Sequence, residues 1–88
     1  MDMRDLEAEV QRLVGYDCFV TSGVNENGPY INVNARARLL KIWIPRQGVD
    51  PARVAKMVRG YLDEPKAPAY KELHYQPADG PSDSSRAG

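Results

Sequence analysis

The stretch Tyr30-Ile31-Asn32-Val33-Asn34-Ala35-Arg36-Ala37-Arg38-Leu39-Leu40-Lys41-Ile42-Trp43-Ile44 decides how this 88-residue chain is read. Ile31, Val33, Ala35, Ala37 and Leu39 are apolar, and the residues between them are polar or amphipathic. Side chains of an extended strand alternate between its two faces, so this period of two fits a sheet with one buried side and one wet side. At Leu39-Leu40 the phase slips, and Leu40, Ile42 and Ile44 become the apolar set. A bulge or a turn must restore the register. With that slip allowed, one surface collects Tyr30, Asn32, Asn34, Arg36, Arg38, Lys41 and Trp43. It is basic, rich in amides and aromatic.

Fifteen residues exceed the usual strand length, so two strands joined around Asn34 to Ala37 are expected. Upstream, Tyr16 to Val24 alternates, with Cys18 and Val20 on one side and Phe19 and Thr21 on the other. Asn25-Glu26-Asn27-Gly28 then tolerates positive φ, which predicts a hairpin into Tyr30. Before it, Met3, Leu6, Val10, Leu13 and Val14 form one stripe of an amphipathic helix, capped by Asp2 and stopped at Gly15. Pro45 ends the last strand. Asp50-Pro51 starts a second helix with Val54, Ala55, Val58, Tyr61 and Leu62 facing inward and Arg53, Lys56 and Arg59 along its flank.

These elements predict one α+β domain over residues 1–76, in the order helix, strand, strand, strand, helix. Both helices should cover the same face of an antiparallel three-stranded meander. Residues 66–76 form a Pro-punctuated arm carrying Tyr70 and Tyr75, and 77–88 lack any hydrophobic anchor, which predicts a disordered tail. The element order is similar to that of the double-stranded RNA-binding domain, and its last four elements are similar to the arm-binding domains of phage integrases. The likeness is architectural: Gly28-Pro29 and Lys56 echo the RNA-binding family, whose glycine-proline-histidine loop and lysine-rich second helix are missing. Likeness of fold alone transfers no function.

Twelve bases balance twelve acids, but they are segregated. Residues 1–17 hold five acids and two bases, whereas 34–60 hold seven bases and one acid. Such a basic block either meets a polyanion or is neutralised within the fold. No unbroken apolar run is long enough to span a bilayer, and the acidic start lacks the pattern of a signal peptide. Together with the lone Cys18 this points to the cytoplasm.

No phosphate-binding loop, dinucleotide fingerprint, metal-ligand pair or nucleophile elbow is present, so neither an enzyme nor a cofactor or metal site is expected. Cys18 and His74 could in principle form a thiol–base pair, but Cys18 falls on the core face. Two binding functions remain. One is a protein-interaction or inhibitor-type module, with another protein or a second copy as partner, that uses the open sheet face and the aromatic arm. The other is a nucleic-acid-binding domain in which Arg36, Arg38 and Lys41 neutralise phosphates, aided by Arg53, Lys56 and Arg59, while Tyr30 and Trp43 stack. Arg, Tyr and Trp dominate protein interfaces, and the zero net charge favours the first. No membrane or small-molecule partner is implied.

Overall fold

The structure is a computed structural model that describes residues 2–46 and 48–76. The expectation of a disordered tail at 77–88 falls outside the described residues. The elements are α1 (Met3–Val14), β1 (Phe19–Asn25), β2 (Gly28–Ala35), β3 (Arg38–Trp43), α2 (Pro51–Leu62) and β4 (Tyr70–His74).

Both helices begin where the caps predict. The Asp2 carboxylate accepts from the Asp5 backbone N–H at 2.9 Å, and that of Asp50 accepts from the Ala52 N–H at 3.1 Å. Each satisfies one of the orphan donors of a first turn. Pro51 opens α2, and Gly15, at φ 94°, closes α1. Leu6 and Val10 of α1 and Val54, Val58, Tyr61 and Leu62 of α2 pack on Val20, Ile31, Val33, Leu40 and Ile42 in one core. Both helices therefore lie on one side of the sheet. Ile31, Leu40, Ile42 and Val54 are fully enclosed, each stabilising the fold by about 1.5–3 kcal/mol through removal of its side chain from water.

The sheet corrects the expected antiparallel three-stranded meander. It has four strands in the order β1-β2-β3-β4 and is mixed: β4 runs parallel to β3, with Leu39 opposite Tyr70 and Trp43 opposite His74. The arm supplies this fourth strand. A parallel neighbour requires a long crossover, and α2 provides it. Leu73 packs partly against the core, and the Tyr61 hydroxyl donates to the Pro68 carbonyl at the entry to β4.

The phase slip also lies elsewhere than expected. No bulge interrupts Leu39-Leu40, since β3 runs unbroken from Arg38 to Trp43. The two strands are joined by a two-residue loop, Arg36 and Ala37, at φ 56° and 60°, between paired Ala35 and Arg38. Ala35 and Arg38 share the helix side, so the parity changes at the turn and Leu39 moves to the open side.

The free edge of β1 is closed by α1. The Gln11 side-chain amide donates to the Cys18 carbonyl at 2.9 Å and accepts from the Val20 N–H at 3.0 Å. It thereby fills the outward-facing backbone positions as a neighbouring strand would, and it donates to the Gly15 carbonyl as well, at 2.8 Å.

Candidate functional site: the open sheet face

The register places the open-face side chains in three rows across the four strands. The first row is Phe19, Asn34, Leu39 and Tyr70; the second is Thr21, Asn32, Lys41 and Glu72; the third is Gly23, Tyr30, Trp43 and His74. No helix covers them, and Phe19 and Tyr70 at the two edges are 65% and 46% exposed.

The third row interlocks with the second. A Cβ added at Gly23 would fall 2.6 Å from the Tyr30 hydroxyl, so it is glycine on β1 that lets the Tyr30 ring lie across the strand. Trp43 meets that ring edge to face, with centroids 5.6 Å apart. The Lys41 ammonium stands 4.2 Å from the Tyr30 centroid and 5.2 Å from that of Trp43, held by the negative faces of the two rings.

Glu72 joins the rows on the other side. Its carboxylate accepts from the Tyr70 hydroxyl at 2.6 Å and from the Trp43 indole N–H at 3.0 Å. These donors, Tyr70 foremost, hold the Glu72 carboxyl below the usual glutamate range, and the same bond pushes the Tyr70 phenol up. At the Trp43 end the face opens into a cleft of about 550 Å³ lined by Pro29, Ile44, His74 and Tyr75.

Arg36 and Arg38, expected on this face, are not there. Arg36 lies in the turn, and its guanidinium donates to the Leu62 carbonyl at 3.2 Å, with the Asp63 carboxylate 3.9 Å away. Arg38 lies on the helix side and donates to the carbonyls of Leu62 and Glu64, each at 3.1 Å. Both serve the end of α2, where unpaired carbonyls and the negative end of the helix dipole attract cations. Without them, the face carries one cation, Lys41, and one anion, Glu72, and is neutral.

Two cations on the flank of α2 also bond to carbonyls while staying at the surface. Arg59 donates to the Leu13 carbonyl in the last turn of α1, and Arg53 donates to the Gln76 carbonyl at 2.8 Å. Lys56 remains exposed. In the arm, Tyr70 belongs to the face, whereas the Tyr75 hydroxyl accepts from the Asp50 backbone N–H at 3.1 Å, beside the start of α2. The expected face left out Phe19, Thr21, Gly23, Leu39, Glu72 and His74. Phe19 was discoverable, because it alternates with Cys18 and Val20.

Cys18 and His74 lie far apart in the topology: Cys18 is buried just before β1, and His74 is exposed on β4, the opposite edge of the sheet. Burial first, then the Asp17 carboxylate, pushes the Cys18 thiol up, away from the reactive thiolate. Among the described residues, no group of three His, Cys, Asp or Glu could hold a metal ion, and no helix is long and apolar enough to cross a membrane. No protein-family profile matches the chain, and no curated protein or solved structure shows significant similarity to it.

Proposed function

We propose that this chain is a non-catalytic protein-interaction module of the cytoplasm that binds its partner through the open sheet face. The observation that carries this reading is the neutral aromatic surface built by Phe19, Tyr30, Trp43 and Tyr70 around the Lys41 and Glu72 charges. Exposed aromatic rings with fixed neighbours are the usual anchors of protein interfaces, because they cover much apolar area while losing little side-chain freedom. The ring cluster is already ordered by the bonds to Glu72 and by the seat at Gly23, which lowers the cost of docking.

The nucleic-acid alternative loses its main support. It named Arg36, Arg38, Lys41, Arg53, Lys56 and Arg59, and the four arginines among them donate to backbone carbonyls of the same chain. Affinity for a phosphate backbone scales with the cations free to neutralise it, and Lys41, the face's one cation, is flanked by Glu72.

The test is a photo-reactive phenylalanine analogue at position 19, with one at position 56 on the exposed side of α2 as control, in the full chain expressed in its own cells. Protein adducts specific to position 19 support the reading. Equal adducts at both positions, or none at 19, overturn it.

A further inference from the structure

Resting on that reading, we infer that the cleft at the Trp43 end of the open face receives a lysine or arginine side chain of the partner, its charged head set against the Glu72 carboxylate. The cleft holds about 550 Å³, within the range of ligand pockets, roughly 300–1,000 Å³. Pro29, Ile44, Pro45 and the rings of Trp43 and Tyr75 give it apolar walls. Glu72 supplies its one carboxylate, and among the described residues neither lysine nor arginine lines it.

The walls decide the sign of the guest, because the donors fixed in them are already taken. Pro29 and Pro45 have no backbone N–H. The Ile44 N–H donates to the Pro29 carbonyl at 3.0 Å, the Tyr75 N–H to the Trp43 carbonyl at 2.9 Å, and the Asn27 N–H to the Asn25 side chain at 2.8 Å. The Trp43 indole N–H is held by Glu72. An anion therefore finds few donors here, whereas acceptors remain. One Glu72 oxygen accepts from Trp43 and the other from Tyr70, and each keeps a second lone pair for a further donor. Lysine and arginine heads are donors only and match that remainder.

Glu72 also keeps its charge for the cleft. Lys41, opposite it on β3, is drawn over the Tyr30 and Trp43 rings, and among the described residues it forms no ion pair with Glu72. The bonds from Tyr70 and Trp43 favour the charged carboxylate. Ring faces attract cations, and the aliphatic stem of a basic side chain covers apolar wall while its head stays polar.

The indole resonance and fluorescence of Trp43, the only tryptophan, test this on the full chain at about pH 7.5 and about 0.15 M salt. The probes are the Nα-acetyl methylamides of lysine and arginine, with that of norleucine as the uncharged counterpart of the lysine stem and that of glutamate as the anion. Both cations should shift the Trp43 indole N–H saturably, with dissociation constants of about 1–20 mM, and the other two should bind at least about tenfold more weakly. Glu72→Gln keeps an acceptor of the same shape without the charge, so it should weaken both cations at least about tenfold with the circular dichroism unchanged. Norleucine binding as tightly as lysine, or no saturable shift up to about 50 mM, overturns the inference whether or not the variant folds. The position-19 probe separates the two failures. Adducts that persist when the cations do not bind overturn the cationic guest alone, whereas their absence overturns the sheet-face reading with it.

Discussion

The guanidinium of Arg38 donates to the carbonyl of Leu62 at 3.1 Å, so a cation that strand alternation assigns to the open face instead closes the C-terminal end of α2. It also reaches the Glu64 carbonyl at 3.1 Å and lies 6.0 Å from the centroid of the Tyr61 ring. Three of the seven bases between residues 34 and 60, Arg36, Arg38 and Arg59, are thus spent on helix ends.

Arg38→Ala should therefore lower stability in urea by about 1–3 kcal/mol, because it removes charge-assisted bonds and leaves carbonyls unpaired. Arg38→Lys should recover part of this, since a single nitrogen, Nη1, makes both bonds and an ammonium also carries several donors, but it lacks the guanidinium plane that lies near the Tyr61 ring. Binding through the open face should be unchanged in both. A loss of binding at intact stability would return Arg38 to the interface.

The Arg36-Ala37 loop holds two non-glycine residues at positive φ, where a side chain costs roughly 1 kcal/mol or more per residue. Two-residue hairpin loops of this kind favour Asn-Gly. Ala37→Gly should raise the urea midpoint, corresponding to about 1 kcal/mol, and Ala37→Val should lower it. The reverse order would mean that the loop does not adopt this conformation in solution.

Gln11 substitutes for a missing strand beside β1. Gln11→Glu keeps the shape but loses the donor to the Cys18 carbonyl, so a cost of about 1–3 kcal/mol is expected. Hydrogen exchange at the Val20 amide should accelerate in Gln11→Ala while that of Ile42, in the interior of the sheet, changes less. Equal acceleration at both would show that only global stability had fallen.

The Glu72 carboxyl titrates below the ordinary glutamate value because Tyr70 and Trp43 donate to its charged form. As pH falls, the unfolded chain takes up this proton first. The stabilisation is therefore complete above about pH 4.3 and is lost as pH drops through the lower folded value. In an NMR titration, the Trp43 indole N–H resonance should shift with a midpoint below the ordinary glutamate value, and in Tyr70→Phe that midpoint should rise. A midpoint at or above the ordinary value in wild type would contradict the network.

Much of this was legible in the sequence. The stripe of α2 and the alternation from Ile31 to Ala35 mark the core, because burial imposes the periods of helix and strand. The parity of β3 from Leu40 onward was legible too, in Leu40, Ile42 and Ile44, but the point where it changes was not. Arg36-Ala37 carries none of the usual chemistry of a two-residue loop, so nothing signalled that Arg38 would exchange sides with Leu39. Nor was β4: its five residues are mostly exposed, and its place comes from the α2 crossover rather than from any pattern of its own. Glu72, which ties Tyr70 to Trp43, could be found only once β4 was placed beside β3.

The most direct measurement is side-chain footprinting with a photo-generated carbene, comparing the isolated chain at low concentration with the chain inside its own cells. Tyr16, 82% exposed in the loop before β1, serves as the reference. Phe19, Trp43 and Tyr70 should be protected in cells while Tyr16 stays reactive. Labelling of the three face residues that falls no more than that of Tyr16 would contradict an interaction through the open sheet.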